Sequence, residues 1–460
     1  MHDRLPSPKT DPTAAIDAVG RVKDAFPSEG MFRDKTWRIS PEPFSLSPAT
    51  VSALERLGPV LHRFQKTTNL IYRRSVTGTA PSWVADYLNR GKPQQLQAFG
   101  RQHATFEHVP LVIRPDLVLT DNGFAITELD TVPGGIGLTG WLNRTYADLG
   151  FADSIIGGRD GVFSGFSSMF PKGADIVISE ESSDYRPETE WLGEELRKLD
   201  GSAKTWNVAQ AESYEPGAAA IYRFFELFDL PNIPFAQQLL AQQKIGDIGP
   251  INAPMKAYLD EKLWLALFWS HPLREIWRRE LRASNWSWLQ QLIPFGWVVD
   301  PAPLPHHAVL PRLEAQSFEE LGEFSQRERN FVLKISGFSE KAWGSRGVHM
   351  AADLSQTEWT GALKEAIDSF PTHPYILQEF HKGRLVEHPW VDEETQQLLT
   401  LSGRVRLCPY YFVPGAENGR SAGKPKLAGV MATICPEDKK TLHGMPEAII
   451  TPCRVDENGY

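Results

Sequence analysis

Between residues 109 and 130, charged side chains recur at every second position on both arms of a short turn, and no other stretch constrains the fold as tightly. The arms read ValProLeuValIleArgProAspLeuValLeu (109–119) and PheAlaIleThrGluLeu (124–129), separated by Asp121-Asn122-Gly123. Side chains alternate between the faces of a strand, and a turn of this composition joins antiparallel neighbours. A three-residue loop with Gly123 left-handed sets Thr120 opposite Phe124, Asp116 opposite Glu128 and Arg114 opposite Asp130. The four charges then share one face, and Ile113, Leu117, Leu119, Ala125 and Leu129 share the other. A slip of one residue would turn the apolar set to water, so this register is the expected one.

Three carboxylates against one guanidinium leave an excess of negative charge that calls for a cation. Hard oxygen ligands at this density suit Mg2+, which is commonly shared with substrate phosphates, and Arg114 would meet a phosphate oxygen. The segment that follows holds Pro133, Gly134, Gly135 and Gly137, so backbone can approach a substrate closely. A solvated sheet face with surface ion pairs is the plain alternative. Alternation on both arms, leading directly into glycines, favours a site.

The rest of the chain reads as α/β with α+β character. Apolar residues at helical spacing run from Ser47 to Tyr72, and an interrupted helix follows over Ser82 to Leu96. From Gly173, strand and helix alternate: AlaAspIleValIleSer, a helix over Glu188 to Leu199, AlaAlaAlaIleTyr, and a helix over Phe235 to Gln243. Such alternation implies a parallel sheet covered by helices. A Trp-rich helical stretch from Lys256 to Leu292 ends in a Pro-rich linker at 301–311, after which a last α/β region begins near Phe318.

That last region holds AsnPheValLeuLysIle, which ends in Lys334-Ile335, followed by a glycine- and serine-containing loop at 336–348. A strand-end lysine beside a flexible loop can reach phosphate oxygens while loop amides donate to the same anion. Lys341 and Arg346 add charge, although an ordinary exposed loop explains these residues equally well. A second strand, TyrIleLeuGlnGluPhe (375–380), can offer backbone groups to a purine, with Glu379 or Glu387 accepting from ribose hydroxyls. A strand entering a charged turn is the simpler reading. Arg404 and Arg406 alternate along ArgValArgLeu and so point to one side, where two guanidiniums would suit an acyl phosphate. A salt-bridged surface is the alternative. Lys262 is the better of two lysines before an apolar helix for a nucleotide contact.

The chain's net charge of -9 offers no basic footprint for nucleic acid. Three cysteines, Cys408, Cys435 and Cys453, are too few and too scattered for a disulfide framework or a thiolate zinc site. The longest strongly apolar run, Leu263 to Trp269, is too short to span a bilayer. A cytoplasmic protein without membrane or nucleic-acid partners is the expectation, and oligomeric state is not legible.

The segment ArgProAspLeuValLeuThrAspAsnGlyPheAlaIleThrGluLeuAspThrValProGlyGly resembles the metal-binding signature of the ATP-grasp superfamily, which includes D-alanine ligases and glutathione synthetases. In the usual order of that superfamily this signature follows the lysine strand, glycine loop and adenine hinge. Here it precedes them, as in the circularly permuted, glutathionylspermidine synthase-like members. The resemblance implies ATP with Mg2+, or Mn2+ as an alternative, and metal ligation by Asp116, Glu128 and Asp130. It further implies phosphate contact by Arg114, nucleotide contact by Lys334, a phosphate-covering loop at 344–348 including Gly344, Ser345, Arg346 and Gly347, and an adenine hinge at Gln378, Glu379 and Phe380. Asp130 stands where the superfamily usually has Asn.

The expected organisation is an ATP-grasp domain built from both chain ends, 1–170 and 301–460, around a Rossmann-like segment at 171–300. The expected activity is ATP-dependent joining of a small-molecule carboxylate to an amine through an acyl phosphate. A kinase on the same fold and a non-catalytic Mg-nucleotide binder are the alternatives.

Overall fold

A computed structural model describes residues 11–27, 36–243, 248–342 and 346–460. In chain order its strands are β1 (Phe44–Leu46), β2 (Val112–Thr120), β3 (Gly123–Asp130), β4 (Gly173–Ile178), β5 (Thr205–Gln210), β6 (Ile221–Phe224), β7 (Ile251–Asn252) and β8 (Gly296–Val298). They continue with β9 (Phe331–Ile335), β10 (Val348–Met350), β11 (Tyr375–Glu379), β12 (Leu385–Asp392), β13 (Gln397–Phe412), β14 (Lys426–Pro436) and β15 (Ile449–Val455). The chain is therefore a mixed α/β protein.

The strands form three sheets. The largest has the order β1-β15-β14-β13-β2-β3, with β12 also on β13. Its centre is the 16-residue β13, which pairs β12 along Gln397–Arg404 and then β2 on the same edge, at residues from Arg406 to Phe412. Strands from the first third and the last fifth of the sequence thus share one ladder. The 29-residue helix Pro48–Val76 packs on this sheet, capped by Ser47, whose hydroxyl accepts from the Thr50 amide. Gly58 lies against the Tyr411 ring so closely that a Cβ would come within 2.5 Å of it. Tyr411 Oη donates to the Leu54 carbonyl at 2.7 Å and fixes the approach.

The second sheet, β5-β4-β6-β7, is parallel, as alternating strand and helix predict. Helix Arg186–Asp200 covers one face through Leu192 and Leu196, beside Ile176 and Trp206. Helix Pro234–Gln242 covers the other through Ala236 and Leu239, beside Val177 and Ile221. The third sheet, β10-β9-β11-β8, is antiparallel and buries Leu333, Leu377 and Trp297 beneath Trp359 and Leu363 of helix Gln356–Asp368. No described helix is long and apolar enough to cross a membrane.

Candidate functional site

The β2–β3 hairpin keeps the expected pairs Arg114–Asp130 and Asp116–Glu128, but by a different route. Its loop has two residues, with Thr120 opposite Gly123 rather than Phe124, and a bulge at Thr127 restores the register before Glu128. The inserted residue reverses the faces between bulge and turn, so Phe124 and Ile126, not Ala125, stand opposite Leu119 and Leu117. The bulge also has a local use. Thr127 Oγ1 donates to the Asp116 carbonyl at 3.1 Å, and the Thr127 carbonyl accepts from Lys334 Nζ at 2.9 Å. Residues 207 apart in sequence meet here, and the lysine strand is tied to the acidic hairpin.

Other elements bring further cations to the same face. Arg406, on β13 beside β2, pairs with Asp116 Oδ2 at 3.1 Å. Arg114 bridges Asp130 at 3.0 Å and Asp116 at 3.3 Å. Lys262 pairs with Glu128 at 2.8 Å and donates to the Ala342 carbonyl at 3.1 Å. The excess negative charge inferred from the hairpin alone is thus neutralised by Lys262, Lys334 and Arg406, which no local pattern could reveal. Among the described residues no three His, Cys, Asp or Glu side chains converge closely enough to hold one ion. Asp116 is nearly buried, with one oxygen facing Arg114 and Cys408 and the other facing Arg406, whereas Glu128 and Asp130 remain about one-third exposed.

Charge sets the ionisation of these groups. Burial would raise the carboxyls of Asp116 and Glu128, but Arg114 and Arg406 hold the first, and Lys262 the second, below the usual range. Asp130 is raised, because burial and the neighbouring Glu128 outweigh Arg114. Burial lowers the Lys334 ammonium to about 8, partly offset by Glu128. Lys262 is raised despite burial, through Glu128.

The remaining candidates are placed less centrally. Gln378 is buried and accepts from Lys334 at 3.0 Å, while its Nε2 has no partner. Strand β11, which carries the expected hinge residues Gln378 and Glu379, lies between β9 and β8. The Glu379 amide donates to Phe295, the Phe380 amide donates to Asn330, and the Glu379 carboxylate pairs with Arg312 at 3.0 Å. Arg404 donates to the carbonyls of Gly383 and Glu437, whereas Arg406 pairs with Asp116. Glu387 is exposed on β12, opposite Ser402. Arg346 is exposed, and the Gly347 carbonyl accepts from the Ile335 amide. Gly344 and Ser345 lie outside the described residues.

A narrow cleft runs beside the hairpin, lined by Glu128, Asp130, Glu226, Asp260, Lys262 and Gly337 among others, with a volume of about 70 Å³. That admits an ion and a few oxygens, whereas small-molecule pockets start near ~300 Å³. A nucleotide would have to widen it. Two larger cavities, about 490 and 440 Å³, have mostly apolar walls and contain none of the expected site residues. Convergent charge, not volume, marks the cleft.

Sequence reasoning missed its second wall. Fully buried Arg223, on β6, donates to Asp260 at 2.9 Å, and Asp260 accepts from Thr131, the residue after Asp130. Glu261 pairs with Lys92 and accepts from Ser336 and from the Gly337 amide. The run Asp260-Glu261-Lys262 was visible in the sequence, but only tertiary structure shows that all three residues line this cleft. The glycines after the hairpin also have a steric role. Gly135 has φ +83°, and a Cβ there would come within 2.7 Å of Tyr410 Oη.

No family model matches the sequence, and no curated protein matches it. Among solved structures, the chain is similar to a glutathione synthetase-like effector, GSS30, from Globodera pallida in its apo form. The TM-score is 0.58 and the identity 11%, over 97% of this chain and 98% of that one. A candidate gamma-glutamylcysteine synthetase from Methylobacillus flagellatus KT matches over 82% of this chain and 84% of its own, with 12% identity and a TM-score of 0.39. Coverage of both chains almost end to end at a TM-score of 0.58 shows that this protein shares the overall fold of the glutathione synthetase-like effector.

Proposed function

We propose that the chain is an ATP-dependent carboxylate–amine ligase of the ATP-grasp type, in the permuted order. The observation that supports this reading most is the hydrogen bond from Lys334 Nζ to the Thr127 carbonyl of the bulged hairpin at 2.9 Å, which ties the lysine strand to the acidic hairpin although the hairpin comes first in sequence. The shared fold with the glutathione synthetase-like effector supports it.

The residues fit a divalent cation in a reduced form. Glu128 and Asp130, two apart on β3 and partly exposed, offer hard oxygens, and Mg2+ is commonly held by one or two carboxylates with phosphates and water completing the shell. Asp116, engaged by two guanidiniums, fits a positioning role better. When bound, the ion would neutralise charge between the phosphates. A nucleotide fits the donors: Lys334 and Lys262 offer ammonium groups, and the buried Gln378 Nε2 awaits an acceptor.

In this reading the γ-phosphate passes to the substrate carboxylate, the amine attacks the resulting acyl phosphate, and ADP and phosphate leave. The protein contributes position and charge rather than a nucleophile. Arg406 and Arg114, held by Asp116, present fixed positive charge to the developing oxyanion. Lys334 and Lys262 hold phosphate oxygens, and the segment after β9 excludes water that would hydrolyse the intermediate.

The test is a screen of carboxylate and amine pairs for ADP, free phosphate and product mass. One phosphate per ADP, with an amide product, is expected. ADP formed without free phosphate would favour the kinase alternative, and absence of turnover with every pair would leave only a binder.

A further inference from the structure

In this structure Glu128 already has a cation. Lys262 Nζ lies 2.8 Å from its Oε1, and the lysine side chain is only 12% exposed. The same ammonium donates to the Ala342 carbonyl, in the segment that follows β9. A divalent ion arriving at Glu128 alone would meet this ammonium at close range, in a site where repulsion is poorly screened. It would also break the ion pair of Lys262, leaving it the Ala342 carbonyl and the field of Asp130 and Glu226, neither of which is in ion-pair contact with it, and breaking a buried ion pair is costly. Asp130 differs. Its partner Arg114 also holds Asp116, so releasing Asp130 leaves the guanidinium paired.

We propose that Lys262 is the resident counter-ion of Glu128 and competes with the divalent metal for it, so that metal is admitted only when a nucleotide phosphate offers Lys262 another anion. This rests on the nucleotide–metal reading of the cleft. It adds an order of events: metal and nucleotide load together. Because Lys262 also donates to the Ala342 carbonyl, loading breaks the Glu128 end of a bridge from the hairpin to Ala342.

The probe is Mn2+ alone, titrated by calorimetry and by its paramagnetic resonance signal, without and then with ADP. For the wild-type protein, weak Mn2+ binding that ADP strengthens is expected. Lys262→Met is expected to bind Mn2+ without nucleotide on the order of tenfold more tightly, a typical coupling between sites, and to lose a similar factor from the ADP effect. Glu128→Gln added to Lys262→Met should abolish the gain, which locates the ion. Unchanged Mn2+ affinity in folded Lys262→Met would overturn the proposal while leaving metal binding intact. No Mn2+ binding by wild type even with ADP would instead overturn the nucleotide–metal reading, and the proposal with it. Should Lys262→Met fail to fold, Lys262→Gln serves, with Mn2+ expected to raise its melting temperature more than that of wild type; an equal rise would overturn the proposal.

Discussion

Asp116 and Glu128 face each other across two strands and yet have different lives, because the cations around them differ. Asp116 is gripped by Arg114 and Arg406, whereas Glu128 has Lys262 and an open side. Glu128→Gln is therefore expected to leave the circular dichroism spectrum and melting unchanged in form while carboxylate-dependent ATP turnover falls by more than about 100-fold, since even partners of metal ligands are worth ~10–100-fold. Near-normal turnover would remove Glu128 from the site. Lys334 gives a pH signature. Burial holds its ammonium at about 8 in the free protein, and a bound phosphate would raise that value, so nucleotide binding takes up a proton above pH 8. Affinity should fall as pH rises through 8, by up to about tenfold per unit, and proton uptake should show in calorimetry across buffers of different ionisation enthalpy. A flat profile between pH 7 and 9.5 would contradict it. These residues were legible in the sequence because alternation put them on one face. Lys262, Lys334 and Arg406 were also singled out, but as phosphate contacts; that they neutralise the hairpin was not legible, because they arrive from elements more than 130 residues away along the chain.

At the scale of elements, sequence and structure agree where the pattern is local. Helix Gln356–Asp368 starts with a full capping box, Ser355 with Glu358, and β9 is a short apolar run with one lysine. They part where pairing is long-range. Strand β14 is buried along most of its length, so it shows no alternation, and three-residue β8 is too short to register. The Trp-rich stretch is divided into separate helices, Arg274–Leu281 and Ala283–Leu292, by Arg282 at φ +68°. The bulge at Thr127 escaped notice because two errors cancel: a shorter loop and an extra residue yield the same charged pairs. Gly135 is sensitive to a single substitution, since it caps helix Ile136–Tyr146 in the left-handed region under Tyr410. Gly135→Ala is expected to cost about 1–3 kcal/mol in denaturant unfolding from its backbone alone. A loss near zero would mean that the loop relaxes freely.

For the molecule as a whole, the first third of the chain cannot complete its sheet without the last fifth. Strand β13 pairs β2 and carries Arg406 to Asp116. A fragment of residues 1–300 should expose the unpaired apolar edge of β2 and aggregate or remain unfolded, as judged by gel filtration and circular dichroism. A soluble fragment with a cooperative melt would show that the halves are independent. The same long-range closure explains why the cleft was only half visible beforehand: its hairpin is contiguous in sequence, whereas its other wall, Asp260 and Glu261 with Arg223 buried behind Asp260, depends on how the second sheet docks. In the proposed function the hairpin and the lysine strand form one nucleotide–metal cleft. Its most direct test is calorimetric titration of a non-hydrolysable ATP analogue with Mg2+ into wild type, Lys334→Met and Glu128→Gln. Wild type should bind, Lys334→Met should lose affinity with and without metal, and Glu128→Gln should lose only the part that Mg2+ contributes. Equal binding by all three proteins, or none by wild type, would contradict the claim.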